Sequence, residues 1–158
     1  MSKKHEAFNE LVAQQPAELS EWLTETHKFL TDSGCKFTND AKGTFTYNIG
    51  KNKKMVCKIK IDKLGCSLRP NTTHILNSTD LIAKLPGYML DTMRGGRGCG
   101  KCAENNPSFV QCKHGGPFEF TYNGERFERC RYFGFNFSLD NATERGLLRE
   151  WIEMEVVG

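Results

Sequence analysis

Apolar residues recur at helical intervals along the first part of the chain. Phe8, Leu11 and Val12 fall on one face of a helix predicted over residues 5–15. Pro16 opens a second helix, in which Leu19, Trp22, Leu23, Phe29 and Leu30 repeat every three or four positions until Ser33-Gly34 ends it. From Cys35 the period shortens to two. Phe45, Tyr47 and Ile49 form one strand, and Cys57, Ile59 and Ile61 the next. Cys66 to Arg69 make a third, so the alternation predicts a three-stranded antiparallel meander with turns at residues 50–53 and 62–65. Ser78 or Thr79 caps a helix through Leu81, Ile82 and Leu85, which Pro86-Gly87 interrupts before a short helical turn with Tyr88, Met89, Leu90 and Met93. Near the end, Phe133, Phe135, Phe137 and Leu139 alternate as a strand. A last helix starts over residues 140–144 and turns Leu147, Leu148, Trp151 and Ile152 to the core.

Helices and strands arrive in runs, so the expected fold is α+β: N-terminal helices, an antiparallel sheet with a zinc-knuckle and hairpin insertion, and a C-terminal helix. The 158 residues suffice for a single domain, 1–158, with 94–131 as a zinc-binding subregion. The N-terminus carries no hydrophobic signal region and no apolar run reaches the length of a membrane span, which gives the expectation of a cytoplasmic protein without membrane attachment. The cysteine count of 7 is odd, and in a reducing compartment it favours thiols and metal over a disulfide framework.

Four of the cysteines gather in the glycine-rich stretch after Met93, where Cys99 and Cys102 form a Cys-x2-Cys pair. Two intervening residues let the chain fold back and present both sulfurs to one tetrahedral ion, so the stretch is read as a Zn2+ site with ligands Cys99, Cys102, Cys112 and either Cys130 or His114. The Asn123-Gly124 dipeptide between two alternating runs specifies a two-residue type I′ hairpin. Counted outward from that turn, Tyr122 pairs with Glu125, Phe120 with Phe127, Phe118 with Arg129 and Pro117 with Cys130. This register favours Cys130 as the fourth ligand. His114, two residues from Cys112, is the alternative. A redox pair is the competing use of Cys99 and Cys102, since Arg97 and Lys101 favour thiolate, but such pairs usually open a helix and this stretch is too rich in glycine for one. An iron–sulfur cluster would accept similar ligands. Cys35, Cys57 and Cys66 are scattered along the apolar pattern and read as small buried hydrophobes.

Charge is uneven along the chain. Between residues 34 and 70 there are nine Lys or Arg against two Asp, a local net charge of +7 in a chain of net charge +3. Lys51, Lys53, Lys54, Lys58 and Lys60 are therefore candidate contacts for a polyanion, against the plainer reading that lysines solvate the outer face of a sheet. Few aromatic residues alternate with them, so they form no evident platform for stacking the bases of a single strand. His5 and His27 are read as surface or flanking residues, and His74 as a loop residue with local hydrogen bonds.

Signatures of catalysis are sparse. There is no nucleophile elbow, phosphate loop, dinucleotide fingerprint or deaminase zinc motif. Glu119 and Glu128 oppose each other in the hairpin register, an arrangement more often tolerated on a strand pair than catalytic. The functional expectation is a non-enzymatic protein stabilised by a structural zinc that binds a protein or nucleic-acid partner. The alternatives are a thiol-based redox or metal sensor and a zinc-dependent enzyme.

The order of strand block, helix ending near Pro86-Gly87, GCGKC knuckle and Cys-terminated hairpin resembles small uncharacterised cysteine-rich bacterial proteins. The central KKMVCKIKIDKLGCSLRP followed by LIAKLPGYM is similar to the sheet-and-helix unit of YjbR-like and YdhG-like domains. The resemblance implies a bacterial, cytoplasmic protein and carries no activity with it.

Overall fold

Two helices open the chain, α1 (Lys3–Ala13) and α2 (Ala17–Asp32). They are separated at Pro16, which has no N–H and sits at the cap of α2 where none is needed. The apolar stripes read from the sequence are the faces they bury: Phe8 and Val12 on α1, Leu19, Leu23 and Leu30 on α2. Gly34 ends α2 at φ +92°, a left-handed conformation that returns the Cys35 N–H to the Leu30 carbonyl at 2.9 Å and the Gly34 N–H to that of Thr31 at 3.1 Å. Those bonds close the last turn and aim the chain into the sheet. The structure is a computed structural model and describes residues 2–63, 65–75, 78–96, 117–131 and 133–158.

The sheet is built from β1 (Lys36–Asn39), β2 (Thr44–Ile49), β3 (Lys54–Asp62) and β4 (Gly65–Pro70), an antiparallel meander. Helices α3 (Thr79–Lys84) and α4 (Gly87–Arg94) follow, with Ser78 capping α3 by accepting from the Leu81 N–H at 3.2 Å. Next come the hairpin β5 (Pro117–Tyr122) and β6 (Glu125–Cys130), the short strand β7 (Phe137–Ser138), and α5 (Ala142–Val157). Strand β7 pairs with the free edge of β4, giving a five-stranded sheet in the order β1-β2-β3-β4-β7, while β5 and β6 form a separate two-stranded sheet. The fold is α+β as expected, with two strands more in the main sheet than the meander read from the sequence. The predicted strand over Phe133–Leu139 contributes only its Phe137–Ser138 step to a ladder. Its alternation has another origin, since Phe135, Phe137 and Leu139 all lie in the core.

One face of the sheet is covered by helices. Phe8 of α1 meets the Phe45 ring edge-on at 5.2 Å, and Trp151 of α5 packs on Phe137 at 5.5 Å. Cross-strand partners of these residues, Ile59 opposite Phe45 and Leu68 opposite Phe137, are fully buried on the same side. Asn141 starts α5 by accepting from the Thr143 and Glu144 N–H groups, and the Trp151 indole donates to the Asn71 carbonyl at 2.9 Å. Burial raises the pKa of the Glu144 carboxyl, with the Asp140 charge adding to it. Arg149 binds α5 to α2, lying over the Phe29 ring at 4.3 Å.

His27 departs from the surface position read for it. Its ring stacks on Phe8 at 4.2 Å and its Nδ1 lies 2.7 Å from the Tyr47 hydroxyl. Burial, and then the neighbouring His5, lower its pKa from 6.5 to about 4. Burial also pushes the Tyr47 phenol up, so Tyr47 donates and neutral His27 accepts. The unfolded chain therefore binds a proton at His27 that the folded chain refuses. Stability from this site is full above about pH 6.5 and is lost as pH falls toward about 4. After a discount for the part of the ring that meets solvent, about 1 kcal/mol is expected to disappear over that window. Urea unfolding of the wild type and His27→Gln at pH 7 and pH 4.5 checks this, because the variant should lose the part of the pH slope that belongs to His27.

Candidate metal centre

The hairpin has the register counted from its turn. Tyr122 pairs with Glu125, Phe120 with Phe127, Phe118 with Arg129 and Pro117 with Cys130. Asn123 at φ 52° and Gly124 at φ 80° supply the two left-handed residues that a type I′ turn demands. Phe118 and Phe120 turn one face inward, meeting the Phe135 ring at 5.3 and 6.4 Å. The other face carries Glu119, and Arg126 reaches its carboxylate at 2.6 Å and that of Glu128 at 3.6 Å. A shared guanidinium thus bridges the two opposed glutamates and offsets part of their repulsion, as befits a surface pair rather than an acid–base couple.

Cys130 ends β6 and is 6% exposed, a free thiol at the open end of the hairpin. The residue before it, Arg129, donates through Nε to the Arg94 carbonyl at 2.8 Å. That bond anchors the C-terminal end of α4 beside the hairpin's open end, and a cation at a helix C-terminus also suits the helix dipole. Gly96 lies against Phe135, where a Cβ would come within 2.8 Å of the ring. Gly96 and Phe118 thus share the Phe135 ring as a neighbour, and Cys130 is directly opposite Pro117. Cys99, Cys102, Cys112 and His114 lie outside the described residues. Along the chain Cys99 is three residues from Gly96 and Cys112 five from Pro117, distances that extended chain spans in about 10 and 17 Å. Among the described residues, no group of three or more His, Cys, Asp or Glu side chains is placed to hold a metal ion.

The other three cysteines are core residues. Cys35, Cys57 and Cys66 are buried, and burial pushes each thiol up, away from the reactive thiolate.

The five candidate polyanion lysines do not share a surface. Lys58 and Lys60 stand on the face of the sheet opposite the helices. Lys54 points the other way, its Nζ 3.6 Å from the Glu155 carboxylate of α5 and 3.3 Å from that residue's carbonyl. The cause is a β-bulge. Tyr47 pairs with Cys57 but Asn48 with Met55, so Val56 has no partner and the parity of β3 reverses before Lys54. Lys51 and Lys53 sit in the turn between β2 and β3.

Lys54 belongs instead to a cluster that the sequence reading did not assemble. Glu155 is 0% exposed; its Oε1 accepts from the His74 and Ile75 backbone N–H groups at 2.7 and 3.3 Å, and its Oε2 from His74 Nδ1 at 2.9 Å. His74 Nδ1 also lies 2.9 Å from Lys54 Nζ. With the Nδ1 proton committed to the carboxylate, the ammonium is held there by the Glu155 charge. His74 therefore bonds across the fold to α5, not only within its own loop. The available signal was helical: Glu155 stands four residues past Trp151 and three past Ile152, on the buried stripe of α5.

No protein-family model, curated protein or solved structure matches the chain. No helix among the described residues is long and apolar enough to cross a membrane.

Proposed function

We propose that this chain is a non-enzymatic cytoplasmic protein in which one zinc ion, held by Cys99, Cys102, Cys112 and Cys130, stabilises the 94–131 region so that the protein can bind a macromolecular partner. The observation that supports it most is the convergence at the hairpin's open end. Gly96 and Phe118 lie against the same Phe135 ring, Arg129 bonds the Arg94 carbonyl, and the buried Cys130 is opposite Pro117, so both flanks of the segment carrying three candidate thiols are tied to this hairpin. A tetrahedral thiolate site draws its ligands from chain segments brought together in this way, commonly a Cys-x2-Cys pair and a second pair on a hairpin. Zinc would serve the fold there, because four protein ligands leave no open position for substrate and binding energy becomes folding energy. His114 is the other candidate for the fourth position.

Protein purified under reducing conditions without chelator is expected to carry about one zinc per chain by elemental analysis. Removing the metal with a strong chelator should expose the thiols to a colorimetric reagent and lower the unfolding midpoint. A metal-free protein with the same unfolding midpoint as the isolated one would overturn the reading.

A further inference from the structure

The helix-free face of the main sheet presents a pattern of its own. Lys58 is flanked across the ladders by Thr46 and Arg69, and Lys60 by Thr44 and Ser67. Lys36 lies on the β1 edge of the same face, opposite Asn48. All of these are half-buried or exposed, whereas Phe45, Cys57, Ile59 and Leu68 on the helix side are fully buried. The one acid on this face among the described residues is Asp62. Its carboxylate is 4.0 Å from Lys60 Nζ, with both side chains about half exposed, a pairing too solvated to hold the lysine against a stronger anion.

We propose that this face binds the phosphate backbone of a double-stranded nucleic acid. Charge complementarity selects the partner. Lys36, Lys58 and Lys60 are long cations on a rigid sheet with hydroxyl donors between them, while the Arg69 guanidinium beside them donates to the Phe133 carbonyl at 3.4 Å and adds its charge from there. Lys58 and Lys60 are about 7 Å apart along β3, with Arg69 about 5 Å away on β4. Such a two-dimensional grid contacts several phosphates at once and releases their counterions. No aromatic side chain stands at these ladder positions, so unstacked bases find no platform and a duplex, which presents only backbone to a flat surface, is preferred to a single strand. The inference deepens the binding role proposed above and rests on it. It is independent of the zinc ion, since every one of these cations is on the main sheet.

The test is fluorescence anisotropy with a labelled DNA duplex of about 20 base pairs and with the corresponding single strand, at several salt concentrations. The expected result is duplex binding tighter than single-strand binding, with log K falling against log salt at a slope of about −3. Lys58→Gln with Lys60→Gln should weaken duplex binding about tenfold, and Lys51→Gln with Lys53→Gln in the adjoining turn less than about twofold. Unfolding midpoints and zinc content measured on the same preparations separate lost binding from lost folding. Equal losses from the two double variants, or binding to phosphatidylserine vesicles but not to duplex, would overturn the assignment. A zinc-loaded protein with no affinity for duplex would also overturn it while leaving the proposed zinc-stabilised protein to a protein partner.

Discussion

Cys130→Ser is expected to lower zinc affinity by about a hundredfold or more, equivalent to about 3 kcal/mol, and to lower the stability of the zinc-loaded protein by a similar amount. The serine hydroxyl is nearly the size of the thiol but is not ionised near neutral pH, so the change removes a ligand with little disturbance of packing. His114→Ala should leave affinity within a few fold. The expectation follows from the hairpin: Asn123-Gly124 closes a two-residue turn, the pairing runs unbroken to Pro117 and Cys130, and the thiol is buried at the hairpin's open end. A competition titration with a chromogenic zinc chelator, run on wild type and both variants, gives the affinities directly. The opposite pattern, with His114→Ala crippling and Cys130→Ser neutral, would remove Cys130 from the site.

Glu155→Ala should destabilise the fold by about 3 kcal/mol, because it strips a buried carboxylate from three N–H partners and from an ammonium. The backbone N–H groups of His74 and Ile75 lose their acceptor, and Lys54, with a side chain 30% exposed, loses its counter-charge. For a chain of this length the corresponding fall in the thermal midpoint is about 10 °C. Glu155→Gln keeps one oxygen for the two backbone donors but brings an amide against the His74 Nδ1 proton, so an intermediate loss is expected. Calorimetry on the two variants and on Lys54→Met separates the contributions. If Glu155→Ala melts within a degree or two of wild type, the cluster does not tie α5 to the loop after β4.

The same two sites show how far local signals carry. The helices, their ends at Pro16, Gly34 and Pro86, the hairpin and a cap at Ser78 or Thr79 were legible because each depends on residues within one or two turns of chain; the structure gives the cap to Ser78. The hairpin register was readable to the residue, since a two-residue turn leaves the pairing no freedom to slip. Three cysteines read as core are core, because the apolar alternation that surrounds them is itself the record of burial. The candidate ligands Cys99, Cys102 and Cys112 were found by spacing, a property of the chain alone.

Other features were decided by tertiary structure. Lys54 was grouped with Lys58 and Lys60 by the local excess of positive charge, which does not report the face a residue takes, and in a regular strand the three, all even-numbered, would share one. The bulge at Val56 reverses that parity, and a bulge is imposed by the register of the neighbouring strand, which periodicity within β3 does not report. His74 and Glu155 are 81 residues apart, and their bonds exist only because α5 lies across the sheet above the loop that follows β4. His27 looked like a flanking residue of α2 until α1 and β2 closed on it with Phe8 and Tyr47. In the sequence, hydrophobic periodicity and turn chemistry determined which elements form and which face of each is apolar. Which polar side chain meets which was decided by packing, because a partner distant in sequence enters the energy of a residue only once the layers have come together.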